Sequence, residues 1–275
     1  MIDEAAYKES RGTGEIRGIG MNNRHITIAT ALICTSLNAP AMIAPALAAE
    51  PRAVIELFTS QGCSSCPPAD KLAGELAQDS SLLIMSLAVD YWDYLGWKDT
   101  LALHSNSERQ RAYANARGDL KVYTPQAVIN GVVHVLGSDK AAIEKAIAQT
   151  RRNAAPLALP VTIAVADGKV TVNVPAAKDE HHSGAVWLCP ITSKAPVAVG
   201  RGENHGRTLT YTNVVRRWVK LGDWDGKAAT FTVPVSKLRD ADYALKDIDR
   251  LTAIVQSGAP ATPGLMLGAA TAALR

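Results

Sequence analysis

Residues 54–68, VIELFTSQGCSSCPP, form an apolar, strand-like run that ends in two cysteines three positions apart, Cys63 and Cys66. Two cysteines at this spacing can close a small disulfide ring. A turn from a strand into a helix would expose the first sulfur, and the helix N-terminus would stabilise its thiolate. The two prolines fit the first turn of a helix predicted over residues 69–77, which carries an apolar stripe. The stretch therefore indicates thiol redox chemistry at a strand–helix junction.

A second signal lies in residues 122–131, VYTPQAVING, where Pro125 directly precedes a β-type run. Proline in this position favours a turn or the edge of a strand. The run ends in Asn130-Gly131, a pair that favours a tight turn between two strands. A helix is predicted downstream, over residues 139–150. The pattern indicates a proline turn, a hairpin and a helix in this order.

Five segments of the chain together resemble a bacterial family of secreted thioredoxin-like proteins whose function is uncharacterised. The likeness spans nearly the whole mature chain, through residues 56–70, 90–99, 122–131, 201–204 and 208–215. It implies a thioredoxin-like α/β domain with a CxxC pair, followed by a β-rich domain. It also implies that Pro125 is a cis-proline and that the Thr124–Pro125 loop faces the cysteines and contacts the substrate.

The cysteine pair suggests a mechanism of thiol–disulfide exchange. We expect Cys63 to be the exposed nucleophile that forms a mixed disulfide with a protein partner, and Cys66 to resolve it. The helix N-terminus and the hydroxyl group of Ser64 or Ser65 would stabilise the Cys63 thiolate. A disulfide that serves only as a local staple is the other interpretation, although a ring this small gives little stabilisation through chain entropy.

Glu56 interrupts the apolar strand seven positions before Cys63. A carboxylate at such a position is costly to bury unless it has a partner or a role. Glu56 is therefore a candidate proton acceptor for the resolving step. An ion pair with a nearby Lys or Arg explains the same residue equally well.

Aromatic residues are concentrated between a strand predicted over residues 82–89 and a polar helix downstream. Trp92, Tyr94 and Trp97 are candidates for a recognition surface beside the cysteines, since Tyr and Trp are common in contact sites. The alternative is that they cover the sheet or seal a domain interface. The polar, turn-rich segment 201–206 has two interpretations as well: a contact with the cysteine pair, or a local salt-bridged turn.

The N-terminal region predicts export. A short basic start at Met21 precedes the apolar residues 26–37 and a small-residue segment that ends at Ala48, which together indicate a secretory signal peptide over residues 21–48. Residues 1–20 are polar and of mixed charge, so we interpret them as a non-native or mis-annotated extension. No other stretch approaches the roughly 20 apolar residues of a membrane span. We expect a periplasmic or secreted protein that meets a membrane only through its signal peptide.

A change of composition near the middle of the chain predicts two domains, a thioredoxin-like domain over residues 51–152 and a β-rich domain over residues 157–275. In the second, alternating runs at 161–165 and 170–174 flank a turn, which is the signature of a hairpin. Further strand-like runs suit a mainly antiparallel, β-sandwich-like domain. Cys189 lies in one of these runs and is predicted to be a buried, inert thiol.

Charge identifies no class of partner. The chain carries a formal net charge of +3, and its arginine doublets are isolated, so the sequence lacks the clustered basic pattern typical of nucleic-acid binding. We expect no resident cofactor and no dedicated metal site, because the histidines lack the close spacing of zinc ligands.

Three classes of function remain. The leading prediction is a periplasmic thiol–disulfide oxidoreductase whose partners are protein thiols or disulfides. A carrier that binds Cu(I) through Cys63 and Cys66 is the second. The third is a non-catalytic binding protein that keeps the fold and the disulfide. Fold alone does not choose among them, because one scaffold supports many functions.

Overall fold

The structure is a computed structural model of the chain and describes residues 51–178, 183–239 and 243–274. The predicted N-terminal extension (1–20) and the predicted signal peptide (21–48) lie outside the described residues. The described part is a mixed α/β protein with three α-helices and large β-sheets. The prediction of a mixed α/β protein is confirmed at this level.

The helices are α1 (Pro67–Leu76), α2 (His104–Arg117) and α3 (Lys140–Ala154). The strands are, in chain order, β1 (Ala53–Thr59), β2 (Leu82–Ala88), β3 (Gln126–Ile129), β4 (Val133–Leu136), β5 (Thr162–Ala166), β6 (Lys169–Val174), β7 (Gly184–Ala198), β8 (Thr208–Val215), β9 (Val219–Trp224), β10 (Ala229–Pro234), β11 (Arg250–Ala259) and β12 (Thr262–Ala273). Of the helices in this part of the chain, none combines the length and the apolar composition that a membrane crossing requires.

Nine strands form one mixed sheet, in the order β12-β11-β7-β8-β2-β1-β3-β4, with β9 paired to β7. Strand β1 runs parallel to β2 and antiparallel to β3. The long strand β7 pairs with β9 through its first part and with β8 through its second part. Strand β8 is also parallel to β2, through the pair Ser86 and Val214.

The pairing of β2 with β8 joins the two predicted domains. Strand β2 belongs to residues 51–152 and β8 to residues 157–275, so strands of both halves form a single sheet. The described residues also belong to one compact unit. The predicted boundary is therefore not a boundary of this sheet, because linker composition says nothing about how strands pair across it. Both halves supply one hydrophobic cluster, which includes Val54, Phe58, Leu87, Cys189, Ile191, Val215 and Ile254.

Strand β1 is buried along its whole length because helices or strands cover both faces of the sheet around it. Ile55 and Leu57 pack with α1 and α3. Val54 and Phe58 lie on the opposite face, where α2 packs. Side chains alternate between the faces of a strand. Glu56 therefore lies on the α2 face, away from α1.

Strands β10, β6 and β5 form a separate antiparallel sheet. The predicted hairpin is confirmed, since β5 and β6 pair around Asp167 and Gly168, whose φ angles of 50° and 68° suit a two-residue type I′ turn. The buried face of this sheet packs on β7, β11 and β12 through Val170, Val172 and Val174. The second half of the chain is thus mainly antiparallel, as predicted.

Helix α1 begins directly after Cys66. The first N–H groups of a helix have no partner within it, so the two prolines at this end cost no helical hydrogen bond. Its buried residues Leu72, Ala73 and Leu76 pack against β1 and β2. The sequence therefore places the N-terminus of a well-packed helix at the cysteine pair.

Candidate functional site

Cys63 and Cys66 form a disulfide in the turn between β1 and α1, with a Cα–Cα distance of 5.4 Å. The N–H of Cys66 donates to the carbonyl of Cys63 (3.2 Å), which closes the turn. Both residues are buried, Cys63 to 1% exposure and Cys66 to 0%. The prediction that Cys63 is exposed is therefore wrong for the disulfide form, because a loop from the second half of the chain lies on the turn.

This loop, residues 200–206, connects β7 to β8 and is called the covering loop below. The buried side-chain amide of Asn204 donates to two carbonyls of the cysteine turn, that of Cys63 among them at 2.9 Å. The carboxylate of Glu203 accepts a hydrogen bond from the N–H of Ser64 (3.0 Å). Of the two interpretations that the sequence allows for this segment, the structure shows the contact with the cysteine pair.

The Thr124–Pro125 peptide bond is cis, as the resemblance implies. It precedes β3 and lies beside the cysteine turn. The hydroxyl oxygen of Ser65 is 3.5 Å from the carbonyl oxygen of Thr124 and 3.4 Å from the sulfur of Cys63. The indole N–H of Trp92 donates to the hydroxyl of Thr124 (2.8 Å). The structure thus brings together the disulfide, the cis-proline loop and Trp92.

Trp97 also lies at the cysteine turn, whereas Tyr94 does not take part in these contacts. The indole N–H of Trp97 donates to the side-chain carbonyl of Gln61 (2.8 Å). Its ring packs on Gly200 of the covering loop, where a Cβ atom would lie 2.8 Å from the ring. Tyr94 is 79% exposed. The contacts of Trp97 are those of a residue that seals the junction between the halves, which is the alternative that the sequence left open.

Glu56 is fully buried and forms an ion pair with Arg109 of α2 (Oε1 to Nε, 2.7 Å). The hydroxyl of Tyr113 donates to the same carboxylate, and Arg109 donates further to Gln256 of β11 (2.7 Å). The guanidinium also stacks on the Trp218 ring, 4.0 Å from its centroid. Burial by itself lowers the pKa of Arg109, but Glu56 and Tyr113 together outweigh it and raise the pKa above its usual range. The structure shows the ion pair that the sequence offered as the second interpretation of Glu56.

Asp70 of α1 is a buried acid that the sequence prediction missed. It is 4% exposed, and the hydroxyl of Thr59 donates to its Oδ1 atom (2.7 Å). Its Oδ2 atom has no hydrogen-bond partner in the described part of the chain. Burial raises the pKa of Asp70 to about 7, against the hydrogen bond from Thr59 and with a further contribution from the charge of Asp99. The N–H of Asp70 donates to the carbonyl of Cys66 (3.1 Å), so this acid lies one helical turn from the disulfide.

Asp99 is the second buried acid of this region. Its carboxylate accepts hydrogen bonds from the N–H groups of Gln61 (2.7 Å) and Leu101 (2.8 Å) and thereby braces the cysteine turn. Burial raises the pKa of Asp99 to about 6, although both hydrogen bonds act in the opposite direction. Two acids with raised pKa values therefore lie near the disulfide and change charge close to neutral pH.

Tyr211 of β8 adds a group from the second half of the chain. Its side chain is 1% exposed, and its hydroxyl has no partner among the described residues. Burial raises the pKa of Tyr211 far above its usual range, and the charges of Asp70 and Asp99 raise it further. Strand β8 packs directly on α1, where a Cβ atom on Gly74 would lie 3.2 Å from the Thr212 hydroxyl.

Asp70 and Tyr211 carry a sequence signal that the prediction did not use. Asp70 follows Cys66 by four positions and precedes Ala73 by three, which places an acid on the apolar face of a short helix. Tyr211 follows Leu209 by two positions and therefore shares the inward face of β8. The sequence does not reveal that α1 and β8 pack together, because the pairing of β2 with β8 is non-local.

Among the described residues, no three His, Cys, Asp or Glu side chains are grouped so that they could hold a metal ion. Cys189 is a buried free thiol of β7, and burial raises its pKa far above the usual value. His181 and His182 lie outside the described residues.

Comparisons with known proteins identify the family. A family profile described as protein of unknown function (DUF1223) matches residues 54–255, more than half of the chain. A crystal structure of a structural-genomics target from Agrobacterium tumefaciens is 33% identical, with a TM-score of 0.71 over 82% of this chain and 96% of that chain. HBP35 of Porphyromonas gingivalis is similar in fold, with 13% identity and a TM-score of 0.54 over 82% of this chain and 76% of that chain. A search among curated proteins gives no match. The chain therefore belongs to the DUF1223 family, whose function is unknown.

Proposed function

We propose that this protein is a thiol–disulfide oxidoreductase that exchanges disulfides with protein partners through Cys63 and Cys66. The observation that carries the proposal is the position of the disulfide. It lies at the N-terminus of α1, and Ser65 links it to the cis peptide bond of Thr124 and Pro125. The helix N-terminus favours a thiolate at this point, because its unpaired N–H groups carry partial positive charge.

We infer that the first half of the chain is a thioredoxin-like domain. The inference is supported by the order β1, α1, β2, then the hairpin of β3 and β4, then α3, with β1 between β2 and β3. The CxxC pair at the start of α1 and the cis-proline at the start of β3 are the features that the resemblance implies. The signal peptide predicted over residues 21–48 supports an oxidising compartment, the periplasm or the exterior, in which such a pair cycles with partners.

The proposed exchange proceeds in two steps. A thiolate of the partner attacks the sulfur of Cys63, the bond between Cys63 and Cys66 breaks, and its electron pair leaves on Cys66. The second thiolate of the partner then attacks the partner's own sulfur in the mixed disulfide and releases Cys63. The partner is oxidised to a disulfide, and the pair gains two electrons; the reverse sequence reduces a partner. The hydroxyl of Ser65, 3.4 Å from the sulfur of Cys63, is placed to donate to its thiolate.

Access to the sulfur atoms requires a movement of the covering loop or of Trp92. Both cysteines are buried, whereas Ser64 and Ser65 between them are exposed. A partner therefore meets the turn at these two serines first, where the N–H of Ser64 is bound by Glu203. Release of this hydrogen bond and of those of Asn204 is the step that we expect to open the pair.

The reduction potential of the pair tests the proposal. The mature protein, beginning after Ala48, is equilibrated in glutathione buffers of known poise, and the thiols of Cys63 and Cys66 are counted by mass after alkylation. A potential between about −120 and −270 mV supports a working dithiol, whereas a value below about −300 mV indicates a structural disulfide and contradicts the proposal. A Cys189→Ala variant is the matched control, because it removes the third thiol and should leave the potential unchanged.

A further inference from the structure

Two of the buried polar atoms that have no partner among the described residues are the carboxylate oxygen Oδ2 of Asp70, a residue one helical turn from Cys66, and the hydroxyl of Tyr211. Buried polar groups are rarely left unpaired without a reason. We propose that Asp70 exchanges a proton with the Cys66 thiol when the disulfide opens and closes, and that Tyr211, supplied by the second half of the chain, positions the Asp70 carboxyl group. This inference rests on the proposed function and identifies the residue that donates and accepts the proton in it.

The position of Asp70 relative to Cys66 supports proton exchange between the two side chains. The N–H of Asp70 donates to the carbonyl of Cys66 (3.1 Å), so the two residues stand in the i and i+4 relation of a helix. Side chains in this relation lie on one face, with Cβ atoms about 6 Å apart. One water molecule would bridge side chains at this separation, and transfer through one water is within the reach accepted for general acid–base catalysis.

The position of Tyr211 supports its role in positioning the Asp70 carboxyl group. The Oδ1 atom of Asp70 is occupied by the hydroxyl of Thr59, so the Oδ2 atom remains for a donor. Tyr211 packs with Leu101 in one hydrophobic cluster. The N–H of Leu101 donates to Asp99 (2.8 Å), whose charge acts on both Asp70 and Tyr211. An unpaired donor and an unpaired acceptor thus lie around the same buried acid. A water molecule between them would satisfy both groups.

The electrostatic surroundings of Asp70 are those of a group that changes charge near neutral pH. Thr59 of β1 donates to the carboxyl group, Asp99 repels its negative charge, and the charge of Asp70 in turn raises the pKa of Tyr211 of β8. Strand β2, which also packs on α1, contains no titratable residue. Glu56 of β1 points to the opposite face and is paired with Arg109.

These positions determine which groups donate and accept protons during the exchange. When a reducing dithiol attacks Cys63, the leaving Cys66 thiolate receives a proton from neutral Asp70, and Asp70 becomes a carboxylate. The reagent closes to its own disulfide and leaves Cys63 as a thiolate. In sum, two electrons pass from the dithiol to the pair and the dithiol loses its protons to solvent. Cys66 gains one proton through Asp70, which is reprotonated from solvent, and Cys63 remains a thiolate. In the oxidising direction the Asp70 carboxylate removes the proton of Cys66, and the Tyr211 hydroxyl keeps its own proton throughout.

The test measures the rate at which dithiothreitol reduces the disulfide of the mature protein between pH 5 and pH 9, expressed per reagent thiolate. We expect the wild-type rate to fall as pH rises through about 7, because neutral Asp70 is lost. Asp70→Asn should abolish this inflection and lower the rate at pH 6 roughly tenfold or more. An unchanged inflection in Asp70→Asn overturns the role of Asp70 and leaves the proposed function intact. A disulfide that resists the reagent at every pH overturns both.

The role of Tyr211 is tested by Tyr211→Phe. Loss of the hydroxyl donor destabilises the Asp70 carboxylate, so the inflection should move to higher pH by roughly half a unit or more, while the rate at pH 6 is retained. Tyr243→Phe is the matched control, because Tyr243 is a buried tyrosine of another core cluster whose hydroxyl donates to Leu238 (2.7 Å). Equal inflections in Tyr211→Phe and Tyr243→Phe overturn the role of Tyr211.

A direct titration does not depend on whether Asp70→Asn folds. Carbon-13 NMR of the aspartate carboxyl groups in the wild-type protein should show a resonance with a midpoint near pH 7, assigned through its shift in Tyr211→Phe. The proposal requires this midpoint to differ between the oxidised and the reduced protein, because the proton of Cys66 is close to the carboxyl group in only one of them. Identical midpoints in the two states overturn it.

Discussion

Two buried acids lie on opposite faces of the sheet near the cysteine turn, and the charges beside them have opposite signs. Glu56 is paired with the permanent positive charge of Arg109 and accepts a hydrogen bond from Tyr113. Asp70 has a neutral donor, Thr59, and a second acid, Asp99, as its neighbours. The first acid belongs to a charge-compensated network that links α2 to β11, and the second is a proton-exchanging group.

We predict opposite effects of neutralising these two acids on the free energy of unfolding. Glu56→Gln leaves Arg109 buried without a counter-charge and should lower the stability by about 3–5 kcal/mol. Asp70 has a folded pKa of about 7 and an ordinary value of 3.8, so the native state binds more protons between these values and loses stability as pH rises through them. Asp70→Asn removes that loss and should be the more stable protein at pH 8. Urea unfolding at pH 5 and pH 8 measures both effects.

Glu75→Gln is the control for this pair of variants, since Glu75 forms an exposed ion pair with Lys71 on the outer face of α1. Its stability should match that of the wild type at both pH values, because exposed ion pairs contribute little. A Glu56→Gln variant as stable as this control would contradict the network described for Arg109.

At the scale of single residues, the sequence predicted which side chains form the cysteine turn better than it predicted what surrounds them. The cysteine pair was evident from its spacing, and the cis-proline followed from the resemblance. The proton-acceptor reading of Glu56 and the exposure of Cys63 depended on which face of the strand meets which helix and on what covers the turn. Those facts are set by contacts between residues far apart in the sequence, 53 positions for Glu56 and Arg109 and 141 positions for Cys63 and Asn204, which local patterns do not record.

Among the connecting elements, the covering loop has the most direct bearing on reactivity. It places Asn204 and Glu203 on the backbone of the cysteine turn and is itself held by Trp97 through Gly200. These contacts are few and are confined to the surroundings of the cysteine turn. Opening of the pair therefore requires loss of a small number of hydrogen bonds, without unfolding of the sheet.

We predict that Asn204→Ala accelerates reduction of the disulfide. The substitution removes two hydrogen bonds to the cysteine turn, each worth about 1 kcal/mol, and should raise the rate with a small water-soluble phosphine roughly tenfold by favouring the open form. Asn173→Ala, on β6, is the control and should react like the wild type, because Asn173 bonds only to threonines of the small sheet in the described structure. Equal rates for all three proteins would show that the loop does not limit access.

Elements with a local signal were predictable from the sequence. Helix α1 followed from its proline start and apolar stripe, and the hairpin of β5 and β6 from alternation around a turn. For the covering loop, the sequence allowed two interpretations and did not decide between them. Its position depends on the pairing of β8 with β2, which joins segments more than a hundred residues apart in sequence.

At the scale of the whole molecule, the continuous sheet predicts cooperative behaviour. Nine of the twelve described strands share one sheet, and one hydrophobic cluster contains residues from both halves of the chain. We expect urea to unfold the mature protein in a single transition that is the same by tryptophan fluorescence and by circular dichroism. A chain that ends at Arg152 should fail to unfold cooperatively, because it exposes the edge of β2 and the apolar face that β7 and β8 cover. Two resolved transitions, or a cooperative fragment, would contradict this.

The two-domain interpretation shows what composition can and cannot determine. A change from helical to alternating patterns correctly indicated that the second half of the chain is mainly antiparallel. It did not indicate that this half extends the first sheet, since the strand β2 has the same apolar sequence whether its outer edge is free or paired. The candidate site was therefore predictable as a dithiol turn, whereas the contribution of the second half was only one of two interpretations of residues 201–206.

Because Cys189 is buried, its reactivity toward a labelling reagent reports how often the protein opens. This residue is the free thiol of the described part, lies in the middle of β7 and is fully buried in the cluster shared by both halves. A thiol-labelling reagent can modify it only during excursions that separate the central strands, while the oxidised pair stays unreactive toward such a reagent. The labelling rate under native conditions thus counts rare global openings of the protein and distinguishes them from the local opening that uncovers Cys63.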